Sequence, residues 1–577
     1  MTSGVDKRVT SSSRFGAASP PCEVSSAERW ALVSLAVPAS SVLGAWALDT
    51  LGFRFPPTLM LAFATTCAAL VWFTLRRQTR VDTGDTLAFG AIVCGLTAWL
   101  LWLARPTLLP LSTGPDLTHH LLLVDFIEQH WRLVHDQALA RQLGEMAEYT
   151  PGAHIIGALA GAWSGTGGLR AFHTLQSMMV GLETGVLYLL ARRLLLPDSP
   201  RALAMSVVAF LFVSPRYMLG DFTEYGFFAQ VISETFVVAV WWTTAAWDHR
   251  PDWRLALAIG LFGATVFLVW PVYSGPPMLG AFLVMASRTE TRLVQRVRQG
   301  LVAFVPFGLV AGAYLLGRLG WLRLAGTGGA APVPSVASVG LPLIVLGICG
   351  ALLLMTRRSG RPTLFFVCAL AAQTLALYVV ATRSGAPQPY MALKMFYLWL
   401  RPIALCATLA VAWLWWQISV RVPSHEPGGA SSTRLSRLAW SVPVLTLLAA
   451  AWPLWTHPQR LHPKPPAISA PLYDAGRWAR TNLPAGCIEY LVGDDETAYW
   501  LHLAVLRNPR VSDRTGDNST YEPTDAVVRW LMPNGLPYAI ADLDALPRDV
   551  RDELDIIYRS GRAAVARRRT ASSCATP

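Results

Sequence analysis

Lysine is almost missing from this chain. Lys7, Lys394 and Lys464 are the only three in 577 residues, so arginine carries nearly all of the net charge of +12. Charge of either sign is scarce: 15% of residues are Asp, Glu, Lys or Arg, against about a quarter in soluble domains. That shortage excludes a set of water-soluble domains, which would lack the polar residues to cover them. No basic cluster marks a nucleic-acid face. The eight cysteines have no metal-type spacing. Residues 1–28 are polar and Ser-rich and lack the short apolar core of a cleavable signal, so they are expected to be a disordered cytoplasmic segment before an uncleaved anchor.

What the chain has is apolar length: 53% of residues are hydrophobic. Runs long enough to cross a bilayer fall at about 30–50, 57–75, 86–104, 171–191, 201–219, 227–247, 254–271, 274–288, 300–317, 340–356, 362–381, 394–418 and 438–456. The stretch Pro151 to Trp163 is too short to span and reads as a half-inserted helix. With the N-terminus inside, arginine concentrates in the cytoplasmic connections, among them Arg76-Arg77, Arg192-Arg193, Arg250 with Arg254, and Arg288 to Arg298. Thirteen spans then place residues 457–577 outside. The expected fold is an α-helical polytopic membrane domain, 29–456, with a small extracytoplasmic α/β domain, 457–577. In that tail Tyr473 to Asn482 has helical spacing, and Cys487 to Val492, Tyr538 to Ala541 and Ile556 to Tyr558 read as strands. Cys487 and Cys574 can pair if the tail lies outside. Asn518-Ser519-Thr520 matches a glycosylation sequon and is taken as a chance match.

The loop after the third run carries the richest chemistry. It reads Thr113-Gly114-Pro115-Asp116-Leu117-Thr118-His119-His120. A carboxylate at the membrane interface can act as a general base towards a hydroxyl. Spacing leaves that role open against a plain helix cap near Leu117. Asp116 and His119, joined by Glu224 of the next outer loop, also suit a divalent cation, though nothing in the sequence requires one. Asp221 and Glu224 would share a helix face and fit a sugar or a metal, or form a solvated loop with Arg216 and Tyr225. Pro151 would open the half-inserted helix, placing His154 in its first turn as a substrate contact or a local hydrogen-bond partner. Lys394 stands where an apolar run re-enters the membrane and suits a phosphate as a point charge, or snorkels to the interface. Glu183, Glu234 and Arg401 lie at membrane depth, where charges need partners or a wet cavity.

These pieces together resemble the GT-C superfamily of membrane glycosyltransferases. Asp116 with His119 and His120 resembles the acidic catalytic loop of that superfamily. Tyr149-Thr150-Pro151-Gly152-Ala153-His154 is similar to the Tyr-Pro-Pro-Gly-x-His pattern of many bacterial members, and Tyr390 to Tyr397 to their late Tyr-x-x-x-Lys-x-x-Tyr stretch. The resemblance covers roughly residues 86–418. It implies an inverting cell-envelope transferase in the inner (plasma) membrane. The donor would be a polyprenyl-phosphate sugar and the acceptor a glycan, lipid or protein. Asp116 would be the base, and His119, His120, His154, Asp221, Glu224, Tyr390 and Lys394 would contact substrate. Two readings compete with it: a transporter or lipid-linked flippase using Glu183, Glu234 and Arg401 as a relay, and a scaffold whose tail binds cell-wall material. No inverted repeat supports the first, and neither accounts for the long polar loops.

Overall fold

The structure is a computed structural model, and it describes residues 24–76, 79–111, 115–136, 139, 143–196, 199–213, 226–317, 336–420, 441, 462–484, 486–508, 523–532, 535–552 and 554–569. The apolar runs form helices with nearly the expected bounds. They are α1 (Ser26–Thr50), α2 (Pro57–Arg76) and α3 (Thr83–Leu103), then α4 (Pro115–His130) and α5 (Gly152–Ser164), then α6 (Gly168–Leu194), α7 (Arg201–Val213), α8 (Phe228–His249) and α9 (Trp253–Val269). A single turn at Pro271–Tyr273 leads into α10 (Gly275–Ser287), followed by α11 (Leu293–Gly317), α12 (Leu341–Met355), α13 (Arg361–Arg383) and α14 (Tyr390–Val420). Seven of the described helices are long and apolar enough to cross a membrane, and α7, α9 and α12 contribute shorter apolar helices. The run at 438–456 lies outside the described residues, as do Arg216, Asp221, Glu224, Tyr225, the 518–520 triplet and Cys574.

Burial sorts these helices into a centre and a rim. The apolar windows of α6 and α14 are 89% and 83% buried inside the protein, whereas those of α2, α3, α11 and α13 are 17–22% buried. The rim helices turn large apolar side chains outward, among them Phe63, Leu70, Phe73, Leu309 and Leu375. Such a surface needs lipid rather than water. Close approach at the centre depends on small residues. At Gly350 of α12 an added Cβ would stand 1.8 Å from the Cys406 carbonyl oxygen of α14, so only glycine permits that crossing.

Charge inside the bundle is paired. Arg401 of α14 donates to Glu183 of α6 at 2.8 Å and to Glu234 of α8 at 2.5 Å, tying three central helices together. The arginine-rich ends hold further clusters. Asp85 takes Arg192, Arg201 and the Tyr188 hydroxyl; Asp248 takes Arg288 and Arg361. A guanidinium fork that binds two partners suits such sites, which accounts for the use of arginine there.

The tail is an α/β unit built on one small sheet. Its helix α15 (Ala470–Asn482) starts at Ser469, whose side chain accepts from the Leu472 N–H. Strand β1 (Ile488–Leu491) precedes α16 (Asp495–Trp500), a π-type turn over Leu501–Val505 and α17 (Pro523–Leu531). Then come β2 (Tyr538–Asp542), α18 (Arg548–Asp552), β3 (Asp555–Ser560) and β4 (Ala563–Arg567). The sheet order is β1-β2-β4-β3, with β1 and β2 parallel and the other pairs antiparallel. The start of the tail docks on the segment after α3: the Lys464 N–H donates to the Leu103 carbonyl and the Ala467 N–H to that of Pro110. Tail and α4 therefore share one end of the bundle. Cys487 is disulfide-bonded, while Cys67, Cys94, Cys349, Cys368 and Cys406 are free thiols.

Candidate active site

Helix α4 begins at Pro115, so Asp116 is a first-turn residue and not the cap of a helix starting at Leu117. A carboxylate there is favoured by the unpaired N–H groups and the positive end of the helix dipole. Its side chain is 43% exposed, while His120, one turn on, is 4% exposed. The two stand 3.7 Å apart, with His120 Nε2 towards the carboxylate. The other ring nitrogen, Nδ1, lies 2.9 Å from Nε2 of His154 in α5. Asp116, His120 and His154 thus form a chain leading from a water-reachable carboxylate to a fully buried imidazole. The Tyr149 ring stands edge-on to both histidines at 5.1 and 5.6 Å, and so does the Phe228 ring at 6.1 and 5.8 Å.

Opposing effects set the Asp116 carboxyl. Its enclosure by protein raises the pKa, but the His120 contact and the charges of His120, Lys394 and His119 outweigh that and hold it at about 2. Lys394 is thus one of the charges that act on Asp116. It sits in the first turns of α14 and is 2% exposed. Its Nζ lies 2.7 Å from the centroid of the Phe227 ring, with Tyr390 at 5.3 Å and Tyr397 at 5.8 Å. These two tyrosines are four residues before and three after the lysine, the spacing that puts side chains on one helix face. Burial among rings differs from snorkelling, in which the amine would reach water.

His119 turns to the tail, where its Nε2 meets the Tyr499 hydroxyl at 2.5 Å. Asp125, the next carboxylate along α4, is no second acid for the site. It takes Arg480 and Arg507 from the tail and the Gln129 side chain. Among the described residues no group of three or more His, Cys, Asp or Glu is placed to hold a metal ion. The set Asp116, His119 and Glu224 is not decided by this, because Glu224 is outside them.

The seam between α4 and the tail has a pH dependence of its own. Glu128 accepts the Gly168 N–H at 2.6 Å and has Arg507 at 3.7 Å. Burial pushes its carboxyl up to about 7, against the opposing pull of that N–H, Arg477 and Arg480. Its pKa in the unfolded chain is about 4.3. The folded protein therefore holds an extra proton between those values, and stability falls as pH rises through that window by an amount on the order of 4 kcal/mol. Glu128→Gln keeps an acceptor for Gly168 and removes the titration. Its melting temperature in detergent should fall less than the wild type's between about pH 5 and pH 7.5. An unchanged pH slope in the variant would mean that another group titrates.

Sequence reasoning named Tyr149 only as part of a motif, with no role of its own, and missed Phe227, Phe228 and Tyr499. Phe227 and Phe228 closely follow Glu224 and Tyr225 in the chain and were recognisable as aromatic neighbours. Tyr499 is 380 residues from His119, and no pattern in the sequence announces it.

No protein-family profile matches this chain, and neither does any curated protein. Among solved structures, it is similar to the oligosaccharyltransferase AglB of Archaeoglobus fulgidus in complex with an inhibitory peptide and a dolichol-phosphate. That match has 14% identity and a TM-score of 0.49 over 86% of this chain and 75% of that one. ArnT of Cupriavidus metallidurans matches at 15% identity and a TM-score of 0.46, over 86% of this chain and 99% of that one. The arabinofuranosyltransferase AftD from Mycobacteria matches at 12% identity and 0.46, over 83% and 40%. At these identities, and with TM-scores below 0.5, they assign no role to any residue here. What the fold and sequence define directly is a multi-pass helical membrane protein with an α/β domain docked on one end.

Proposed function

We propose that this chain is a GT-C-type inverting glycosyltransferase that moves a sugar from a polyprenyl-phosphate donor to an extracytoplasmic acceptor. The arrangement that carries the reading is a water-reachable carboxylate, Asp116, at the head of the chain through His120 to His154, with the buried Lys394 among the charges that keep that carboxyl ionised. The acceptor oxygen attacks the anomeric carbon as the bond from that carbon to the phosphate oxygen breaks, and the electron pair leaves with the phosphate. Attack from the face opposite the leaving group inverts the centre. The hydroxyl proton becomes strongly acidic once the new C–O bond is largely formed, so a carboxylate of low pKa still takes it. Asp116 fills that role, with His120 and His154 behind it. Lys394 balances the charge growing on the phosphate in a site it shares with three aromatic rings. Asp221 and Glu224 would complete the sugar contacts, with or without a divalent ion.

The tail and the Asp116 loop belong outside the plasma membrane in this reading. Arginine enrichment at the other ends of the helices supports that, as does the Cys487 disulfide. One experiment tests activity and sidedness together. Right-side-out and inverted membrane vesicles receive labelled polyprenyl-phosphate sugars and a soluble acceptor that cannot cross the bilayer. Transfer should occur in right-side-out vesicles, and the product should have the anomeric configuration opposite to the donor's. Transfer confined to inverted vesicles would refute the topology; retained configuration would refute single displacement.

A further inference from the structure

The end of the bundle opposite Asp116 carries a site of a different kind. Helix α8 runs from Phe228, beside His120 and His154, to His249. Its 22 residues put Arg250 about 33 Å from the reaction centre. There Arg193, Arg250, Asp252, Arg254, Leu75, Ala246, Leu255 and Val24 line a small cavity of about 20 Å³. That volume is about one water's worth, so it suits one or two oxygens of a larger group and not a whole molecule.

The charges of this pocket are partly spent. Arg193 pairs with Glu28. Asp252 is used as the N-cap of α9, accepting the Arg254 N–H at 2.9 Å. The Arg254 Nε is buried and has no hydrogen-bond partner in the protein. Three guanidinium groups against Asp252 and Glu28 leave one net positive charge, the complement of a phosphodiester. The surroundings identify the level in the bilayer. Trp253 and Trp30 are 52% and 46% exposed, Arg29 lies over the Trp72 ring, and the lipid-facing Leu70 and Phe73 of α2 rise from the same rim. Indole rings of this kind collect where hydrocarbon meets headgroups. Basic pockets between helices at that depth bind lipid headgroups.

We propose that this pocket seats the phosphodiester of an anionic membrane phospholipid, with Arg193, Arg250 and Arg254 holding its oxygens and the acyl chains lying along α2. A zwitterionic lipid is disfavoured, because its cationic headgroup would meet the same arginines. The site is independent of the glycosyltransferase reading and survives its failure.

The test is native mass spectrometry of the full chain released from nanodiscs of phosphatidylglycerol or phosphatidylcholine. The proteins are wild type, Arg250→Ala/Arg254→Ala and Arg250→Lys/Arg254→Lys. Each arginine near an anionic surface contributes a factor of about five, so the double alanine variant should lose about thirtyfold in phosphatidylglycerol retention. The lysine pair should keep most of it, and both should melt with the wild type in phosphatidylcholine. Equal retention of phosphatidylglycerol by the alanine variant, or of phosphatidylcholine by the wild type, overturns the proposal. So does stabilisation of delipidated protein by inorganic phosphate to the same extent as by phosphatidylglycerol, which would make the pocket a site for a free anion.

Discussion

Asp116→Asn should lower glycosyl transfer by about 10²–10⁴-fold, the range for loss of a positioned proton acceptor, while the protein stays folded in its membrane. Asparagine has the size and planarity of aspartate and fits the first turn of α4, so the helix should keep its place. What disappears is the negative charge. The amide oxygen can still meet the acceptor hydroxyl but cannot keep its proton. The cost in stability is small for a physical reason. The Asp116 carboxyl is 43% exposed, so water screens much of its interaction with His120 and Lys394. Single-turnover assays with labelled donor, beside thermal melts of both proteins, separate the two effects. Near-normal turnover in the variant would leave Asp116 as a residue that only favours the start of α4. Wild-type enzyme provides a second check. Its carboxyl is held at about 2, so transfer should show no loss centred near pH 4, where an ordinary aspartate titrates (about 3.9).

The sequence reading found those parts of the molecule that short stretches encode. Apolar length fixed the helices, and the break between the short runs 254–271 and 274–288 is a single turn at Pro271–Tyr273. Tyr390 and Lys394 were paired by motif and meet as one aromatic-lined group because a helix brings positions four apart together. Asp116, His120 and His154 were named from two separate motifs, but their order as a chain was not. That order depends on how α4 packs on α5, and periodicity does not encode such packing. The tail shows the same limit. Strand β4 is Ala563-Ala564-Val565-Ala566-Arg567, which lacks the β-branched run that marks a strand; its pairing on both sides with β2 and β3 makes it one. The grip of Arg480 and Arg507 on Asp125 crosses more than 350 residues for Arg480 alone, a distance over which only the folded structure provides the contact.

Lys394→Ala should lower the catalytic efficiency for donor by about 10²–10³-fold, as removal of one preorganised group facing developing negative charge does, with a smaller effect on acceptor use. The lysine is 2% exposed, and its backbone is fixed by the Tyr273 hydroxyl, which donates to the Lys394 carbonyl at 2.7 Å. The Phe227, Tyr390 and Tyr397 rings around Nζ hold a compact ammonium by their electron-rich faces. Lys394→Arg keeps the charge but must fit a wider planar group among them. Overpacking of this kind costs about 1–3 kcal/mol, so arginine should restore only part of the activity. Donor-concentration kinetics on both purified variants measure this directly. A further readout distinguishes charge from packing. Lys394 is one of the groups that hold the Asp116 carboxyl down, so its removal should move the acid limb of the pH–rate profile upward in Lys394→Ala and leave it in place in Lys394→Arg. If the alanine variant changes neither the donor dependence, the maximal rate nor that limb, Lys394 is a cation packed among rings and takes no part in holding the phosphate.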